Sequence, residues 1–252
     1  MSSLFVELPA ELAQHITALL PHVDLLNLSL TCKELQKHAE SSLYREYIQP
    51  HGKSLSMFID RILARPDIAE KYVRKMKLGF WDSELAGPRP EIISEELYDA
   101  YTKAAKAANV IDIIVPYEAA EVTSKGALVS NWRERDWYTE LLMKKSQGAG
   151  WPPYDLMFCQ ILRAGHEDAL VALVLALLPN LRVLELHTIL MNPDQTILPW
   201  RLPKHGFKKL VRLTAANDRA VPWSALFKLD NGQHFAPNLR VGKRELLVSS
   251  WR

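Results

Sequence analysis

The 252-residue sequence predicts a mainly α-helical fold with a few short parallel strands, α/β and repeat-like towards its carboxy-terminal end. Three observations carry that expectation. Helix start and stop signals are closely spaced through the first 50 residues. Glu167 to Leu178 is apolar on nearly every face, so it reads as a buried helix, and Pro179-Asn-Leu then marks a strand start. The L-x-x-L-x-L pattern of Leu181, Leu184 and Leu186 returns 29 residues later at Leu210, Leu213 and Ala215.

The segment from Leu8 to Tyr47 reads as three short helices. Pro9 suits a first helical position, where the N–H it lacks would be unpaired anyway. Glu11 then lies near the positive end of the helix dipole. Leu12, Ile16, Leu19 and Leu20 form one apolar stripe until Pro21 stops the helix. Asp24 is placed to cap a second helix, Leu25 to Leu30. Thr31 and Glu34 fit a capping box for the third, with Leu30 and Leu35 as its hydrophobic staple. Leu35, Ala39, Leu43 and Tyr47 continue that helix's buried face at every fourth position. About 40 residues cannot bury all of these apolar side chains among themselves. Either the rest of the chain covers the surplus or another protein does.

The run LPAELAQHITALLPHVDLLNLSLTCKEL closely resembles the F-box motif: a Leu-Pro start, Glu, apolar residues at helical spacing, Asp-Leu-Leu and Ser-x-Thr-Cys-Lys. The resemblance covers residues 4–48 and implies a three-helix module that interlocks with a Skp-type linker protein and, through it, a cullin. The matching contact candidates are Leu8, Pro9, Leu12, Ile16, Leu20, Leu25, Leu28 and Cys32. Apolar anchors of this kind supply most of the affinity of a helix-in-groove interface. The large residue, Trp or similar, that usually follows the Cys-Lys pair is absent, and Leu35 stands in that region.

Residues 55–252 form the second part, clearest as a repeat over 166–241. A helix is predicted from Leu55 to Ala64, stopped before Pro66. Within Tyr72 to Leu78, the residues Val73, Met76 and Leu78 are spaced as in a leucine-rich-repeat strand. Ile92 to Ala108 is an amphipathic helix with Ile93, Leu97, Tyr101 and Ala105 on one face. Val110 to Val115 fits a strand or a helix extension. Glu134 to Lys145 is read as helical and Gly148 to Pro153 as a loop. Pro237-Asn-Leu-Arg-Val241 begins a third repeat copy, with Leu239 at the same 29-residue interval from Leu210. The arrangement resembles the degenerate leucine-rich repeats of many fungal F-box proteins; an irregular α/β packing is the alternative. A solenoid needs a polar terminal cap. The third copy stops after Val241, which predicts a truncated or mis-spliced product with Gly242 to Arg252 out of register.

No constellation in the sequence favours an enzyme. Gly148-Ala-Gly150 lacks the Lys-Ser/Thr of a phosphate loop. His166-Glu-Asp168 are consecutive helical positions and diverge around the axis. His15, His22, His38 and His51 have no ligand-spaced partners, and Cys32 and Cys159 form no CxxC pair. No cofactor or metal is therefore expected. A net charge of +2 gives no case for nucleic acid, and the longest apolar stretch is about half a membrane span. Asn27 heads an Asn-x-Ser sequon but falls within a predicted helix. With no export signal in residues 1–20, an intracellular protein, cytoplasmic or nuclear, is expected.

Two basic clusters, Lys204 to Lys209 with Arg212 and Arg133-Glu-Arg135, read as solvated faces or as sites for an acidic partner. Trp81, His187, Trp200, Asn217 and Trp223 are the candidates for a target-binding surface. The sequence thus predicts a non-catalytic substrate-recognition adaptor of a Skp–cullin–F-box ubiquitin ligase. The alternative is a repeat-built interaction scaffold acting outside ubiquitin transfer.

Overall fold

Leu8-Pro9 opens the first helix, though Pro9 is its N-cap rather than its first turn: α1 runs Ala10–Leu19. The computed structural model describes residues 8–49, 55–78, 81–82, 92–120, 153–165, 167–186, 189–190, 203–215 and 240–241. Pro21 ends α1 and caps α2, His22–Ser29, which begins earlier than the sequence predicts. Asp24 is consequently a first-turn acid, complementing the dipole instead of capping. Asn27 lies on this helix, as expected.

The third helix, α3 (Lys33–Leu43), has Cys32 at its N-cap. The predicted capping box is not formed. Thr31 instead donates its hydroxyl proton to the Leu28 carbonyl at 2.7 Å, closing α2. Glu34 falls one position short of a box, and hydrogen bonds from its own N–H and from Cys32 hold its carboxyl below the usual range. Leu30 is 76% exposed, so the staple over Leu35 is not made either. Because α3 stops at Leu43, Tyr47 belongs to a strand, β1 (Glu46–Ile48), rather than to the helix face.

Next come α4 (Ser56–Ala64) and α5 (Pro66–Lys71), the latter starting on Pro66 itself. Proline is well suited there because its fixed φ already matches a helix. The short strands β2 (Lys75–Leu78) and β3 (Trp81–Asp82) follow. In α6 (Glu95–Ala107) the Ser94 hydroxyl accepts from the Leu97 N–H at the start. Its inward face is Tyr98, Tyr101, Thr102 and Ala105; Leu97, predicted to share it, is 36% exposed. Tyr101 donates to the Asp60 carboxylate at 2.7 Å, tying α6 to α4.

Asn109 stops α6 with φ 66. Bonds from Val110 N–H to Ala105 C=O (2.8 Å) and Asn109 N–H to Lys106 C=O (3.1 Å) complete a Schellman motif. Residues 110–115 are neither strand nor helix extension. Their turn is held by the buried Asp155 carboxylate, which accepts from the Asp112 and Ile113 N–H groups at 3.0 and 2.8 Å. Asp155 belongs to α7 (Pro153–Arg163). After it, α8 (Glu167–Ala176) is buried from Ala169 to Ala176, as its all-round apolar sequence predicts.

The remaining strands are β4 (Val183–Leu186), β5 (Ile189–Leu190), β6 (Arg212–Ala215) and β7 (Arg240–Val241). Five strands make one parallel sheet in the order β1-β2-β4-β6-β7, and β3 pairs with β5 separately. Register aligns Tyr47, Met76, Leu184, Leu213 and Val241 in a single row. Val73, Leu181 and Leu210, three residues before their rows, are all buried. The pattern read from Leu181 and Leu210 therefore extends to β2.

The third copy departs from expectation. Arg212 pairs with Arg240, an interval of 28 rather than 29. A one-residue shift reverses which face each position serves. Here it sets Val241 in the apolar row of Met76 and Leu184 instead of opposite Arg212. The core lies on the Met76–Leu184 side of the sheet, among α4 to α8. The predicted helix at 134–145 and the segment 242–252 lie outside the described residues, as does the predicted loop at 148–153 except for Pro153, which opens α7 instead.

Candidate functional site

Helix α1 packs on α3 through its small residues, not its large ones. Ala13 and Thr17 are fully buried, and the Ser42 hydroxyl donates to Thr17 at 3.3 Å. Small side chains allow a close approach of the helices, and this turns the predicted apolar stripe outward. Leu12, Ile16 and Leu19 are 52%, 39% and 86% exposed. Helix α2 adds Val23 and Leu26, and Leu30 follows it, all exposed. The rest of the described chain leaves this surplus uncovered. Burying a large aliphatic side chain is worth about 1.5–3 kcal/mol, so six of them offer on the order of 10 kcal/mol before association costs.

Of the eight contact candidates, Pro9, Leu12 and Ile16 are exposed, while Leu8, Leu20, Leu28 and Cys32 are half-buried at the rim. Leu25 is the exception. It is 4% exposed, on the helix that packs against α3, and so holds the module together instead of offering surface. Leu19, Val23, Leu26 and Leu30 join the exposed face although the motif did not single them out. Helical spacing alone cannot tell which of two faces a small residue will claim.

The module is built into the rest of the chain. β1 pairs directly with β2, and Tyr47 stacks on Phe58 of α4 at 3.9 Å with a 17° interplanar angle. Burial, with the nearby Glu167 charge, pushes the Tyr47 phenol up to about 12. Arg61 donates to the Tyr44 hydroxyl at 3.0 Å, and Gln49 to the Glu167 carboxylate at 2.6 Å. Between α4 and α5, Arg65 forks onto Glu40 of α3 at 3.2 and 3.3 Å. These bonds hold Arg65 charged, its guanidinium raised above the usual range by Asp67 and then Glu40.

A second surface is the sheet face opposite the core. It carries Glu46, Lys75, Lys77, Val183, Glu185, Arg212 and Thr214, which are half-buried or exposed. Lys75 bridges Glu46 at 2.9 Å and Glu185 at 3.1 Å, joining β1, β2 and β4. Sequence reasoning missed this face. Its signal was present, since these are the variable positions between the apolar ones of the strand pattern. Among the proposed target contacts, Trp81 is in β3, paired through its backbone with Ile189. His187, Trp200, Asn217 and Trp223 lie outside the described residues, as do His166 and Arg133-Glu-Arg135.

The basic cluster at 204–212 divides. His205 and Phe207 turn inward, with rings edge to face at 4.8 Å. Lys204 and Arg212 remain exposed. Burial pushes the Cys159 thiol up, away from nucleophilic character. Among the described residues, no group of three or more His, Cys, Asp or Glu is placed to hold a metal ion. No described helix is long and apolar enough to cross a membrane.

Residues 5–49 match the family model for F-box-like domains. No curated protein and no solved structure matches the chain.

Proposed function

We propose that the chain is a non-catalytic substrate-recognition adaptor of a Skp–cullin–F-box ubiquitin ligase. The observation that carries this reading is the apolar face of α1 and α2, left exposed by the segment that matches the F-box-like model. A helix face with Leu12, Ile16 and Leu19 outward is suited to a groove on a Skp-type linker, with the aliphatic side chains as anchors. The linker would in turn connect to a cullin. The sheet face around Lys75, Lys77 and Arg212 supports target recognition, reading its strands as degenerate leucine-rich repeats. Holding a target near a charged ubiquitin carrier raises effective concentration, so the chain itself needs no reacting groups.

Co-purification with a Skp-type linker and cullin tests this. Wild type is expected to bring down both, and Leu12→Asp with Ile16→Asp to lose both while keeping its helical content. Equal recovery by wild type and variant overturns the docking face. Recovery of linker without cullin, and no change in turnover of any protein on deletion, favours an interaction scaffold outside ubiquitin transfer.

A further inference from the structure

Strands β1, β2 and β4 are each entered through a residue whose carbonyl receives the next strand. Arg45 C=O accepts from Arg74 and Lys75 N–H, Arg74 C=O from Arg182 and Val183, and Arg182 C=O from Val211 and Arg212. Arg45, Arg74 and Arg182 therefore stand side by side at the amino-terminal edge of β1, β2 and β4. With neighbouring strands about 4.8 Å apart, the three backbones span roughly 10 Å.

The next row of the sheet is self-neutralised, since Lys75 takes Glu46 and Glu185. The arginine row is not. Among the described residues no carboxylate pairs with any of the three arginines: Glu46 is engaged by Lys75, and Glu70 offers Asn180 only its carbonyl. Arg74 is held by donating to the Val73 and Lys71 carbonyls. Burial, then the charges of Arg182 and Arg45, push its guanidinium below the usual range. Beyond Arg182 the row ends at Val211, and Lys209, two residues earlier, donates its ammonium to Asn180.

We propose that this edge binds an acidic, carboxylate-rich protein segment, with Arg45, Arg74 and Arg182 forking onto its carboxylates. Alternate side chains of an extended peptide recur about every 7 Å, so two or three acids straddle the row. Arginine–carboxylate pairs are bidentate, and the backbone ladder fixes the spacing of the three arginine stems. A protein segment fits better than nucleic acid, because the row is short and the whole chain carries a net charge of only +2. Binding at this edge needs no linker protein.

The test is fluorescence anisotropy on the full chain with a labelled peptide of about ten residues alternating Glu and Ser. The expected result is binding that weakens as salt rises from about 50 to about 200 mM. A Gln/Ser peptide should bind about tenfold more weakly or worse. Arg45→Gln with Arg182→Gln should lose about tenfold or more, and Arg45→Lys with Arg182→Lys should lose less. The lysine pair alone decides the matter if the glutamine pair unfolds. No binding of the Glu/Ser peptide, or equal affinity for wild type and the glutamine pair, overturns the proposal. So does tighter binding of a single-stranded RNA of similar length through the same arginines.

Discussion

Glu40 of α3 and the Arg65 guanidinium form a two-pronged ion pair at 3.2 and 3.3 Å, fixing the amino-terminal module to the α4–α5 corner. The same guanidinium reaches Asp67 at 3.1 and 3.0 Å, so one cation serves two carboxylates. Glu40 is 8% exposed, and its charge has little water to fall back on.

Removing Arg65 should therefore cost more than removing Glu40. Arg65→Ala strands a nearly buried carboxylate and is expected to lose about 3 kcal/mol. Glu40→Ala should lose about 1–2 kcal/mol, because Asp67 still occupies the guanidinium. Arg65→Lys keeps the charge but not the fork and should fall between wild type and Arg65→Ala. Denaturant unfolding of the three variants checks the order; equal losses for both alanine variants contradict it.

The two faces of α1 should respond oppositely to substitution. Leu19→Asp, at an 86% exposed position, is expected to change stability by no more than about 0.5 kcal/mol. Ala13→Leu, at a fully buried contact with α3, should cost about 1–3 kcal/mol through overpacking. Thermal melts of both variants decide it. A destabilised Leu19→Asp means that the face is covered by the chain itself.

His205 makes stability depend on pH with a definite sign. Its Nδ1 accepts the Phe207 N–H at 3.1 Å and its Nε2–H donates to the Ala176 carbonyl at 3.2 Å, an arrangement that needs the neutral ring. Burial lowers its folded pKa below 6.5. The unfolded chain therefore takes up the proton first as pH falls, and stability drops from about pH 6.5 downward until the folded ring also titrates. Urea midpoints at about pH 7.5 and about pH 5.5 should differ more for wild type than for His205→Ala. An unchanged difference excludes His205 as the source.

Much of this fold was legible because its signals are local. Pro21 and Pro66 set helix limits that tertiary contacts did not move, and the apolar run of α8 is a buried helix as read, ending at Ala176 rather than Leu178. The 29-residue recurrence of Leu184 and Leu213 likewise reads straight into the register. Three features were not legible. Thr31 and Cys32 compete for one cap, and the winner depends on where α2 ends. The inner face of α1 was not read, because Ala13 and Thr17, being small, give no apolar-stripe signal although they pack against α3. The charged rows across β1, β2 and β4 join residues more than a hundred positions apart, which no window of sequence brings together.

That long-range register has its own test in Lys75, which meets Glu46 across β1 and Glu185 across β4 only if these strands are parallel neighbours. Lys75→Glu sets three carboxylates together and is expected to cost about 1–2 kcal/mol, with part recovered at high salt. Lys75→Met removes the charge but keeps the covering stem, and should cost less than about 1 kcal/mol. Adding Glu46→Lys to Lys75→Glu restores the β1–β2 pair in reverse and should recover part of the loss, while Lys71→Glu, outside the row, should not show that coupling. Urea unfolding of the single and double variants at low and high salt measures it. Additive costs for positions 46 and 75 would mean that the two side chains do not meet, and that β1 does not enter the sheet beside β2.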